Sequence, residues 1–155
     1  MSWSFPVFYT WGNAQRSVEN QFSTSSVFFR VCWSCNPAHR LIFYRRLTPM
    51  PCTFSIWSNM VYTWASASNA LGIDFNLYSS WADLQAGTNA WSSCSFDIPG
   101  IAFPLNCAAS SSSSVASWMY QASSLVNPYG ATDYAYYILN ISTYAIGGDK
   151  KCSVA

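Results

Sequence analysis

Val27-Phe-Phe-Arg-Val-Cys-Trp-Ser-Cys-Asn-Pro-Ala-His-Arg-Leu-Ile-Phe-Tyr-Arg-Arg-Leu47 holds two runs of alternating residues around a turn. In the first run Val27, Phe29, Val31 and Trp33 alternate with Phe28, Arg30 and Cys32, the period-2 pattern of a strand with two unlike faces. In the second, Leu41, Phe43, Arg45 and Leu47 oppose Arg40, Ile42, Tyr44 and Arg46. The intervening Ser34–Ala38 contains Asn36 and Pro37, residues that tight turns favour. The stretch therefore predicts a β-hairpin. Apolar side chains on both faces of each run place that hairpin inside a sandwich or beneath helices.

Working outward, residues 1–11 read as an edge strand interrupted by Pro6, and Gly12–Ser26 is polar enough to read as a loop. Beyond the hairpin, Phe54, Trp57, Met60, Val61 and Trp64 recur at helical spacing, which predicts a helix over about 54–66 capped by Thr53, with Trp57 and Trp64 in the core. Ile73–Tyr78 alternates as a strand. Ser80, with Asp83 three positions later and Gly87 beyond, predicts a short helix over about 79–86. Strands are expected at Ala90–Phe96 and Ile101–Phe103 around a Pro99-Gly100 turn, and a third helix over about 114–126 after the run Ser110–Ser114. A long last strand is expected from Asp133 to Ile146. The resulting expectation is a mainly β single domain over 1–155, an antiparallel two-sheet sandwich of jelly-roll-like form with two or three short helices.

Charged residues make up 8% of the chain against about 25% in an ordinary soluble domain, and aromatics reach 18%. With a net charge of +1, copies of the chain repel one another little, and nucleic acid is a poor partner. The charge is uneven: residues 1–50 carry five arginines against Glu19, a net +4, and the remainder nets −3. These arginines either pair with Asp74, Asp83, Asp97 or Asp133 inside the fold or form an anion-binding patch. No run of apolar residues is long enough to span a membrane. Met1 is followed by Ser2–Pro6, which has neither the basic start nor the apolar core of a secretory leader.

Six cysteines, Cys32, Cys35, Cys52, Cys94, Cys107 and Cys152, fit three disulfides formed in an oxidising compartment. Cys94 and Cys107 are close enough in sequence for a local bridge worth about 3 kcal/mol in the loop-entropy picture, which leaves Cys152 to bond Cys52 or a hairpin cysteine. Cys32, Cys35, His39 and Cys52 have the atoms for a zinc site, but no second Cys-x-x-Cys accompanies them and a disulfide framework is the better reading. A thioredoxin-like role is disfavoured because the motif precedes a strand instead of opening a helix. His39, the only histidine, has no nucleophile frame beside it, and Glu19 is the only glutamate, so the sequence carries no catalytic signature and no implied cofactor.

Asn140-Ile-Ser142 is a glycosylation sequon. If Asn140 points outward, Tyr134, Tyr136 and Tyr144 share its face as a protein interface or a platform for stacking sugars. The expected function is a non-enzymatic extracellular structural module that self-associates or assembles with neighbouring chains. A secreted carbohydrate-binding module is the first alternative, and a subunit of a viral shell or other large complex the second.

Overall fold

The computed structural model describes residues 11–110 and 134–139. Helix α1 (Trp11–Ser25) leads into strand β1 (Val27–Cys32), and a single 3-10 turn at Pro37–His39 leads into β2 (Leu41–Arg46). Helix α2 (Ile56–Val61), strand β3 (Phe75–Tyr78), helix α3 (Trp81–Ala86) and strand β4 (Tyr134–Ile138) follow. The strands form one four-stranded antiparallel sheet in the order β3-β2-β1-β4. Helices cover this sheet where a second sheet was expected, so among the described residues the architecture is a small α/β one and not a sandwich.

The hairpin forms as predicted, and its register sets Phe28 opposite Tyr44 and Phe29 opposite Phe43. Because opposed residues share a face, the register sorts the side chains into two rows across the sheet. On the first face Ile138, Phe28, Tyr44 and Leu77 lie side by side. There Phe28 stacks on Tyr44 at 4.7 Å and Tyr44 on Phe75 at 4.9 Å, while Phe103 meets Phe28 edge-on at 5.2 Å. Val18 and Phe22 of α1, Ile56 and Met60 of α2, and Trp91 and Leu105 of the following loop close this core. On the second face the row is Tyr137, Phe29, Phe43 and Tyr78, with Phe29 stacked on Tyr137 at 4.8 Å and on Phe43 at 5.3 Å. Leu84 of α3 packs into this smaller cluster.

Helix α1 replaces the loop expected at Gly12–Ser26. Its large buried side chains, Val18 and Phe22, are four residues apart, enough to seat one helical face on the sheet. Helix α2 is shorter than the 54–66 predicted, and its cap is Ser55, whose hydroxyl accepts from the Ser58 N–H, not Thr53. Glu19 of α1 reaches the same terminus, accepting from the Ser55 hydroxyl at 2.5 Å and the Trp57 N–H at 3.1 Å. A carboxylate on otherwise unpaired helix N–H groups is well placed against the helix dipole, and it locks α1 to α2.

Trp64 lies beyond α2 but is fully buried, between Tyr44, Phe75, Phe96 and Phe103. Trp57 is half-buried against the same core. Helix α3 follows its sequence signals: Ser80 accepts from the Asp83 N–H at 3.1 Å, and Gly87 ends the helix at φ 69°. Residues 90–103 do not form the expected strands. They run as an irregular loop with one bridge, Ser93 to Ala108, across the Cys94–Cys107 disulfide. Residues 1–10, the helix expected at 114–126 and the last strand beyond Leu139 lie outside the described residues.

Trp64→Ala should destabilise the fold by about 3–5 kcal/mol, the usual cost of emptying a large aromatic site. Trp64→Phe should cost far less, since it also removes a buried indole N–H that has no hydrogen-bond partner among the described residues. Urea unfolding of the oxidised chain checks both, and equal stabilities of wild type and Trp64→Ala would place the ring outside the core.

Candidate functional site

The hairpin turn is built in layers. Strand β1 ends at Cys32, whose N–H donates to the Arg40 carbonyl at 2.9 Å, and the Cys35 N–H returns to the Cys32 carbonyl at 3.3 Å. A disulfide joins Cys32 to Cys35 across that four-residue turn. Asn36 caps the short 3-10 segment, its side chain accepting from the Ala38 N–H at 3.1 Å. The zinc arrangement therefore does not form: both sulfurs are spent on each other, and the described residues contain no group of three metal-ligating side chains. Cys52 is also disulfide-bonded; its expected partner Cys152 lies outside the described residues.

Beneath the turn, polar side chains are buried and used. Arg30 is fully buried, with Nη1 3.7 Å from Cys35 Sγ and the guanidinium 5.1 Å over the Tyr134 ring. His39 turns inward, its Nε2 2.7 Å from the Cys107 carbonyl and its ring edge-on to Trp91 at 5.3 Å. A carbonyl only accepts, so the neutral ring carries its proton on Nε2. Burial holds the His39 pKa below the ordinary value; the bond to Cys107 opposes that shift and the nearby Arg30 charge reinforces it.

The carboxylates serve the fold as well. Asp74 accepts from the Ala70 N–H and the Thr48 hydroxyl and lies 3.7 Å from Arg46; burial raises its pKa, but these contacts outweigh burial and lower it. Asp83 is lowered by hydrogen bonds from Ser80, Asn89 and Thr88, and Asp97 by the hydroxyl and N–H of Ser66. Of the hairpin arginines, Arg46 is buried over the Phe54 ring and donates to the Thr48 and Ser68 carbonyls, while Arg45 reaches the Leu84 carbonyl. The expected pairing with aspartates thus reduces to Arg46 and Asp74 among the described residues.

Tyr134 and Tyr136 do not form an outward row on β4. The Tyr136 hydroxyl lies 3.2 Å from the Met60 carbonyl and 3.1 Å from that of Phe103, and its ring packs on the main core. Tyr134 packs on the Cys32–Cys35 disulfide, and Ile138 on the same face is buried. This face of β4 is turned to the core because Tyr136 and Ile138 pair with Arg30 and Phe28, both fully buried. Asn140 and Tyr144 lie outside the described residues.

What the tip presents to solvent is Trp33. Held between the two bonded cysteines, it is 63% exposed, and with Pro37, Ala38, Arg40, Leu41 and Ser79 it lines a cleft of about 290 Å³. The sequence pattern counts Trp33 as the last residue of the strand, whereas the disulfide ends the strand at Cys32 and turns the indole outward. A single tryptophan inside a Cys-x-x-Cys turn was the available signal. A second, wider cleft of about 500 Å³ lies between Ser66, Leu71, Trp91, Ser93 and Phe96.

The buried imidazole makes stability depend on pH. Its folded-state pKa is depressed, so stability is full above the unfolded value of about 6.5 and falls as the pH drops below it, when the unfolded chain takes up the proton first. Among the described residues, Arg30, the Cys107 carbonyl and Trp91 act on the ring, and none of these offers a negative charge. Asp74, Asp83 and Asp97, with lowered pKa values, add a second loss only below about pH 4. Thermal melts should therefore show a decline between pH 7 and 5 that His39→Gln removes, and an unchanged slope in that variant would disprove the assignment. Comparison of the chain with family models, curated proteins and solved structures gives no match, so its function has to be read from these residues.

Proposed function

We propose that the chain is a non-enzymatic extracellular module that assembles with copies of itself. The carrying observation is the strip at the turn end of the second sheet face, where half-buried Val31, Leu41, Ala135 and Tyr137 run toward exposed Trp33. A partly covered apolar strip ending in an exposed aromatic is a surface that gains by contact. Charge does not oppose contact between copies, because the chain nets only +1 with 8% charged residues. Disulfides at Cys32–Cys35 and Cys94–Cys107 favour an oxidising setting, and among the described residues no helix is long and apolar enough to cross a membrane. The bonded state of His39, Glu19, Asp74, Asp83 and Asp97 supports a non-catalytic role, since each side chain already serves a structural contact.

A carbohydrate-binding module is the second reading, favoured by one observation: exposed Trp33, on a turn closed by a disulfide, lines a small cleft with a hydroxyl and a guanidinium on its walls. An exposed indole on a stapled turn offers a flat apolar face at little entropic cost. The two-sheet jelly-roll form and the viral-shell alternative have no such observation behind them.

Sedimentation velocity of the oxidised chain across the micromolar range distinguishes the readings. Assembly predicts a concentration-dependent shift to larger species that Val31→Glu or Ala135→Glu abolishes with the melting temperature held within a few degrees. A wild-type chain that stays monomeric throughout would overturn the assembly reading.

A further inference from the structure

We infer that the hairpin tip is a binding site for a single sugar ring bearing a carboxylate, seated on Trp33 and held by Arg40; the inference rests on the carbohydrate-binding reading. Arg40 is exposed and makes no ion pair or side-chain hydrogen bond among the described residues. The other hairpin arginines are engaged: Arg30 and Arg46 are buried, and Arg45 donates to Leu84. The residues from 27 to 47 include no acid, and Asp74, Asp83 and Asp97 accept hydrogen bonds within their own loops, so nothing described neutralises Arg40. A free guanidinium beside a free indole supplies two complementary elements. Its planar fork matches a carboxylate in two parallel hydrogen bonds, and the ring face packs against the C–H face of a pyranose.

The cleft sets the size of the ligand. At about 290 Å³ it is at the lower limit of small-molecule sites, roughly 300 Å³, which is room for one ring seated in the cleft. Ser79 adds a hydroxyl on one wall, and Pro37, Ala38 and Leu41 supply apolar ones. The site is also preorganised. The Cys32–Cys35 bond and the Cys35 to Cys32 backbone bond fix the turn that carries Trp33, while the Cys32 to Arg40 backbone bond fixes the other side. Binding therefore has little loop ordering to oppose it.

The test titrates the oxidised full-length chain with 3′-sialyllactose, a hyaluronan tetrasaccharide and lactose, following tryptophan fluorescence and NMR at low salt. The expected result is that at least one acidic saccharide binds about tenfold or more tightly than lactose, the scale of one charge-assisted contact. Arg40→Gln should erase that preference, and Trp33→Ala should remove binding altogether, both with unchanged melting since both side chains are exposed. Equal affinities for acidic and neutral sugars, lost on Trp33→Ala, would overturn the carboxylate inference and leave the carbohydrate reading standing. No Trp33-dependent binding of any saccharide at millimolar concentration would overturn both. Sodium acetate competing as well as the acidic saccharide would mark a simple anion site and overturn the inference. So would a Trp33→Ala variant that loses self-association while saccharides have no effect on wild type.

Discussion

Register in the β1-β2 hairpin is the constraint on which everything else depends. Phe28 opposite Tyr44 sends one aromatic row toward α1 and α2, and Phe29 opposite Phe43 sends the other toward α3. A slip of one residue would exchange the rows and bring Phe29 and Val31 where Arg30 and Phe28 now lie. The stack of Phe28, Tyr44 and Phe75 crosses three strands on one face, with the rings of Phe103 and Trp64 set edge-on around it. Such offset and edge-on contacts add about 0.5–1.5 kcal/mol per pair beyond area burial, so the correct register is favoured repeatedly across one surface.

Two buried cations tie the periphery to that surface. Arg46 gathers the loops around Thr48, Ser68 and Asp74 and covers Phe54; Arg30 sits beneath the stapled turn with Tyr134 over it. Removing a partner from a buried charge is costlier than removing a surface ion pair. The loops around these residues are thus held by electrostatics where little regular secondary structure exists to hold them. Glu19 does the same at the start of α2.

The sequence made the hairpin legible because strict alternation over both runs coincided with turn residues between them. Helix α3 was legible because Ser80, Asp83 and Gly87 are local signals that act over one turn. Helix α1 was not, since its burial rests on Val18 and Phe22 with polar residues all around, and its carboxylate contact reaches a partner 36 residues away. Residues 90–103 carry the apolar content of strands, but a disulfide and the packing of Phe103 and Leu105 set their path in place of a ladder. On β4 the alternation of Tyr134, Tyr136 and Ile138 is real, but its direction hung on whether Asn140 points outward: period 2 says which residues share a face, not which face is covered. The same limit hid Trp33, whose place in the alternation says nothing about a disulfide that bends the chain away at Cys32.

The Cys94–Cys107 bridge also decides what a single cut in the backbone does to the chain. The loop it closes reaches solvent at residues 97–100, all exposed, while its return limb carries Phe103 and Leu105 into the core. A protease that clips the exposed stretch adds one water to the mass but frees no fragment, because both cut ends remain joined by sulfur and anchored by buried rings. The molecule can thus be nicked at this exposed turn and still remain one covalent body until a reductant arrives.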